Sequence, residues 1–88
     1  MKHFDLKISG LVQGVGFRFF ASQKADFLNL TGFIKNNPEG TVSIEIEGSD
    51  KNLEEFIDWC RRGPPGAEVK KLEVKEGKLV NFREFKYY

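Results

Sequence analysis

The sequence predicts an α+β sandwich in which an antiparallel sheet carries two helices on one face. Three observations lead there. The stretch "HFDLKIS" sets Phe4, Leu6 and Ile8 against His3, Asp5, Lys7 and Ser9, the period of two expected of a half-buried strand. "SDKNLEEFIDWCRRG" places Leu53, Phe56, Ile57 and Cys60 on one helical stripe, with acids leading and arginines following as the helix dipole favours. Segments of these two kinds follow one another in the order β-α-β-β-α-β, with one further extended run at the C-terminal end.

Taken in order, the first strand gives way at the glycine-rich "GLVQGVG". From Phe17 onward, Phe17, Phe20, Ala21, Lys24, Ala25 and Leu28 follow helical spacing, with Phe27 near the same face and Lys24 its one polar member. Asn29 and Gly32 end that helix. "TGFIKN" and "GTVSIEIEG" read as two strands joined by the turn "NPEG", where Pro38 and Gly40 supply the turn dihedrals and Val42, Ile44 and Ile46 point inward. The second helix is capped by Ser49 or Asp50 and stopped by Gly63, Pro64 and Pro65. "AEVKKLEVKE" and "LVNFREFKYY" then form two extended runs about a turn at Gly77. This order is the split β-α-β arrangement of a ferredoxin-like α/β sandwich with an extra C-terminal strand.

At 88 residues the chain suits one domain over 1–88, with a single core. Nine Phe against one Trp predict a Phe-rich core. The 14 Lys and Arg are interspersed with 13 Asp and Glu for a formal charge of +1, which disfavours a nucleic-acid partner bound through a broad basic surface. One Cys and one His cannot form a disulfide framework or a common zinc site. "MKHFDLKISG" lacks the apolar run of a signal peptide, and no segment approaches the roughly 18 apolar residues of a membrane span. The expectation is a cytoplasmic protein without a membrane partner.

The glycines at 14 and 16 carry the main functional signal. Between a strand and a helix they allow successive N–H groups to converge, and those donors together with the helix dipole attract an anion. Arg18 in the first helical turn opposes the dipole, a cost that a bound anion offsets. The spacing matches neither G-x-G-x-x-G nor the Gly-Lys-Ser/Thr loop, so a nucleotide site is not indicated. On spacing alone, two readings stand: an anion-binding loop, or a tight connection followed by an exposed arginine.

The pair "GLVQGVGFR" and "GFIKNNPEGTVSIEIEG", in this order and separation, resembles the two signatures of the acylphosphatase family. The similarity extends through "RRGPPGAEV" to the tyrosine-ended last strand, covering essentially the whole chain. Leu11, Phe33 and Ile34 differ from the residues more usual at those places.

The resemblance implies an enzyme without metal or cofactor that hydrolyses acyl phosphates, with inorganic phosphate as product and inhibitor, working as a monomer. It further implies that Arg18 and the main chain of Gln13, Gly14, Val15, Gly16 and Phe17 hold the phosphoryl group, while Asn36 orients the attacking water. Without it, Asn36 reads as a turn residue.

A different class shares the fold. "GVGFRFF" has a superficial likeness to the Gly-aromatic octapeptide of RNA-recognition motifs, but it precedes the first helix instead of lying in the third strand. A third reading keeps the anion loop and drops the chemistry, leaving a small binding domain. Among the remaining residues, Cys60 is expected to be packed and inert, Ser22 solvated, His3 exposed, and Phe19 off the inward stripe. The arginines at 61 and 62 are expected as helix-end charge.

Overall fold

The computed structural model describes residues 1–88. It runs β1 (Lys2–Leu11), α1 (Phe17–Phe27), β2 (Thr31–Asn36), β3 (Val42–Gly48), α2 (Asp50–Arg62), β4 (Glu68–Gly77) and β5 (Phe85–Tyr87). The five strands lie in the order β4-β1-β3-β2-β5. Alternation sets the register: Leu6 opposes Ile44 and Phe4 opposes Ile46, so the apolar residues of β1 and β3 share one face. Both helices cover that face, and one cluster joins Leu6, Ile8, Ile34, Ile44 and Ile46 of the sheet to Phe17, Ala21 and Ala25 of α1 and Leu53, Phe56 and Cys60 of α2.

The predicted sandwich stands, with a mixed sheet in place of a purely antiparallel one. β5 runs parallel to β2, pairing Gly32 with Phe85 and Ile34 with Tyr87, while every other pairing is antiparallel. Gly77 consequently does not join two neighbouring strands. β4 and β5 occupy opposite edges, and residues 78–84 cross the helix-free face between them. The last strand is also shorter than the expected run, because only the residues reaching the free edge of β2 find a ladder to join.

The core is less aromatic than composition suggests. Only Phe17 and Phe56 among the phenylalanines are fully buried, and aliphatic residues fill most of the rest. On α1 the buried line is Phe17, Ala21, Ala25 and Leu28, whereas Phe20 is 41% and Phe27 78% exposed. The two alanines keep α1 close to the sheet, and the bulky rings expected inside turn outward. A Phe20 truncation therefore opens no core cavity.

α2 follows its sequence signals closely. Ser49 Oγ accepts the N–H of Asn52 at 3.3 Å, Asp50 lies in the first turn, Arg61 and Arg62 in the last, and Gly63 closes the helix with φ 71°. Asn52 Nδ2 donates to Leu28 O at 3.0 Å, and Lys24 Nζ meets Glu55 at 2.9 Å, so the two helices are tied at their surfaces. No helix is long and apolar enough to cross a membrane.

Candidate active site

β1 runs out at Leu11, and α1 begins at Phe17 behind Gly16, which adopts the left-handed conformation with φ 77° and ψ 16°. Gly14 is left-handed as well, at φ 75°. A side chain is rarely accommodated at such angles, so the glycines are what permit this loop. No main-chain acceptor takes the N–H groups of Gln13, Gly14, Val15, Gly16 or Phe17, and no side chain caps the helix. The loop thus presents donors at the positive end of a helix dipole, without an internal carboxylate to absorb them.

Two tethers hold this loop against the β2–β3 hairpin. Gln13 Nε2 donates to the carbonyls of Asn37 at 2.8 Å and Thr41 at 2.9 Å. Asn37 in turn orders the hairpin turn, donating from Nδ2 to Thr41 Oγ1 at 2.9 Å and Ser43 Oγ at 2.7 Å. The side chain of Gln13 is therefore a structural clamp in a residue predicted only for its main chain. A polar residue inside a glycine loop carries no local sign of which distant carbonyls it will find.

Arg18, at the same end of α1, reaches the C-terminal segment. Its Nη1 donates to the main-chain oxygen of Tyr88, and its guanidinium lies 5.1 Å from the centre of the Tyr87 ring. The N–H of Tyr88 donates to Ile34 O at 3.0 Å, which fastens that segment to β2 two residues before Asn36. Tyr87 and Tyr88 were not among the predicted site residues, and only the parallel pairing of β5 brings them there. Ser22, expected to be solvated, donates to Arg18 O at 2.7 Å from one turn along the helix.

Asn36 closes β2 opposite Val42. It shares the helix-covered face with Ile34 by strand alternation. Its Oδ1 is buried and has no hydrogen-bond partner. An unpaired buried amide oxygen is costly, so Asn36 keeps accepting capacity that the rest of the chain does not use. The Gln13 tether and the Arg18–Tyr88–Ile34 connection bracket Asn36 on either side, and the side chains of Arg18 and Asn36 make no direct hydrogen bond. The expected residues are thus assembled at one end of the sandwich: a donor loop, a cation and a free amide.

A second polar cluster lies on the opposite, helix-free face. His3, expected to be exposed, is 3% exposed because residues 78–84 cover it, with the Phe82 ring stacked 6.0 Å from its own. Its Nδ1 lies 2.8 Å from Glu47 Oε2 and its Nε2 2.7 Å from Asp5 Oδ1. Burial pulls the His3 pKa down, but the hydrogen bonds to Glu47 and Asp5 outweigh it and raise the pKa above its ordinary 6.5. Burial pushes the Glu47 pKa up, and the N–H groups of Val80, Phe82 and Asn81 with His3 reverse this to hold it below 4.5. His3, Asp5 and Glu45 bring metal-type donor atoms within 4.8 Å of one another, yet both His3 nitrogens already have partners. Cys60 is fully buried and burial raises its thiol pKa, leaving it the inert packing residue expected.

"GVGFRFF" spans the loop and the start of α1 and lies in no strand, which removes the likeness to an RNA-recognition motif. A family model described as acylphosphatase matches residues 4–87. The acylphosphatase of Acaryochloris marina is 45% identical over 78 residues, covering 89% of this chain and 84% of that protein. Among solved structures, the acylphosphatase from Bacillus subtilis superimposes with a TM-score of 0.94 at 35% identity, over 97% of this chain and 96% of that one. An acylphosphatase from Coxiella burnetii gives 0.95 at 31% identity, covering 99% and 92% respectively.

Proposed function

The chain belongs to the acylphosphatase family and hydrolyses acyl phosphates, and we propose how its residues divide that work. The main-chain N–H groups of Gln13, Gly14, Val15, Gly16 and Phe17 and the guanidinium of Arg18 bind the phosphoryl oxygens. Asn36 holds the water that attacks phosphorus. The observation that carries this reading is the buried Oδ1 of Asn36, without a partner in the chain, between the Gln13 tether and the Arg18–Tyr88–Ile34 connection.

In the step itself the water oxygen forms a bond to phosphorus as the bond from phosphorus to the acyl oxygen breaks, and the electron pair departs with the carboxylate. An amide orients water through its oxygen and N–H groups but does not take up a proton near neutral pH. The water proton passes to an oxygen of the substrate. A carboxylate is a stable leaving group, so positioning and charge stabilisation supply most of the rate. The loop donors and Arg18 are fixed before substrate arrives, which keeps the reorganisation cost low. No step calls on a metal, and residues 1–88 act as one catalytic domain.

Hydrolysis of an aryl acyl phosphate, with chelator present, tests the assignment in the parent and in Arg18→Ala and Asn36→Ala, each checked for folding by circular dichroism. Each substitution is expected to lower kcat/KM by about 10²-fold or more, the loss typical of one preorganised transition-state donor. Inorganic phosphate should inhibit the parent competitively and Arg18→Ala only weakly. A folded Asn36→Ala variant at parental rate would remove Asn36 from the mechanism.

A further inference from the structure

Glu47 is 1% exposed, and its carboxylate is saturated with donors from a segment far along the chain. Oε1 accepts the N–H groups of Asn81 at 2.9 Å and Phe82 at 3.1 Å, while Oε2 accepts Val80 N–H and His3 Nδ1–H. Three consecutive main-chain donors converge because Asn81 sits in the left-handed region at φ 67°. Burying a carboxylate is unfavourable unless every lone pair is met, and here they are met by a stretch without regular structure of its own.

That stretch helps decide where β5 lies. Residues 78–84 are exposed apart from Phe82, whose ring sits against His3 at 6.0 Å and Phe33 at 5.9 Å. β5 has three residues and one neighbour, too little to fix its own register. Its placement is shared between Phe85, packed against the core, and the crossing segment, through Glu47 and the bond from Gly32 N–H to Glu84 O at 2.9 Å. The same β5 carries the Tyr87 ring on which Arg18 rests and leads to the Tyr88 oxygen that takes its Nη1 donor.

We propose that Glu47 is a positioning residue for the phosphate site, acting across the sheet through residues 80–88 to hold the Arg18 guanidinium in its binding orientation. His3 supports it by donating to Oε2 and stacking on Phe82. The inference rests on the reading that Arg18 binds the phosphoryl group. With the segment released, Arg18 loses both its supports and must be ordered by the ligand, so affinity for the phosphoryl group falls while the water at Asn36 is untouched.

The test compares the parent with Glu47→Gln, Phe82→Ala, Arg18→Ala and the double variant Glu47→Gln/Arg18→Ala, in aryl acyl phosphate turnover and in the inhibition constant of inorganic phosphate. Phe82→Ala loosens the segment without touching the buried carboxylate, so the inference remains testable should Glu47→Gln fail to fold. Leu53→Ala, a core change in α2 remote from the segment, serves as a control for lost stability alone. In Glu47→Gln and Phe82→Ala, KM and the phosphate inhibition constant are expected to rise together by about fivefold or more, with kcat within about twofold, while Leu53→Ala changes neither. In the Arg18→Ala background Glu47→Gln should add less than about twofold, since the residue through which it acts is gone. Unchanged constants in the folded Glu47→Gln or Phe82→Ala variant, or an effect that multiplies fully with Arg18→Ala, would overturn the positioning role. If Arg18→Ala itself leaves the phosphate constant unchanged, the assignment of Arg18 fails instead.

Discussion

Two stretches of this molecule turn consecutive main-chain N–H groups toward a negative charge, and they differ in where that charge comes from. Residues 80–82, with Asn81 left-handed, receive the carboxylate of Glu47 from within the chain. The loop 13–17, with Gly14 and Gly16 left-handed, has no internal acceptor for its donors and is tethered from behind by Gln13. The first arrangement is satisfied and contributes to holding the fold together. The second leaves its hydrogen-bonding capacity unused within the chain, and on the proposed phosphoryl assignment a change there is expected to act on catalysis with little effect on stability.

The sharpest way to break this contrast is to empty the satisfied one. Glu47→Ala leaves the N–H groups of Val80, Asn81 and Phe82 and the Nδ1 side of His3 without their acceptor, and is expected to destabilise the protein by about 3 kcal/mol in urea unfolding. A loss near zero would mean that residues 78–84 contribute nothing to the fold. At the open loop the pattern should invert. Arg18→Ala is expected to keep unfolding stability within about 0.5 kcal/mol of the parent, as befits a partly exposed side chain, despite its loss of activity. The parent should also gain about 1.4 kcal/mol of stability from inorganic phosphate at tenfold its dissociation constant, a gain that Arg18→Ala loses.

A subtler probe is Gly14→Ala. Nothing lies within 4 Å of an added Cβ, so the cost is confined to the left-handed backbone, at about 1 kcal/mol in thermal or urea unfolding. A larger loss would show the loop to be part of the structural framework. The smallest effect concerns pH. The lowered Glu47 pKa makes its contribution complete above the ordinary 4.5 and lost as pH falls through the folded value. The raised His3 pKa makes its contribution complete below 6.5 and lost as pH rises through the folded value. The cluster should therefore stabilise most between these two values, and His3→Gln should flatten the upper side of a profile of Tm against pH.

Much of the fold was legible because its signals are local. Period two in β1 and β3, the stripe and caps of α2, and the glycines before Phe17 each announce their element without reference to any other part of the chain. α1 was legible as a helix but not in its facing: Phe20 and Phe27 looked like core by residue type, and the close approach allowed by Ala21 and Ala25 turned them outward. His3 was correctly placed off the apolar face of β1, yet burial on that second face depends on a crossing segment that no alternation in β1 encodes.

The candidate site divides the same way. Arg18, Asn36 and the loop donors were named as candidates through the family resemblance of the two motifs, since spacing alone left the loop open between two readings and Asn36 a turn residue. Gln13 as a clamp, Tyr87 and Tyr88 as the seat of Arg18, and Glu47 as the anchor of the segment between were not. What the sequence by itself determined was the kinds and order of the elements and the glycine loop before α1, since these arise from neighbours along the chain. Only the tertiary structure decided which edge receives the last strand, which face residues 78–84 cover and what holds the arginine, because each joins groups tens of residues apart through contacts that local pattern leaves open.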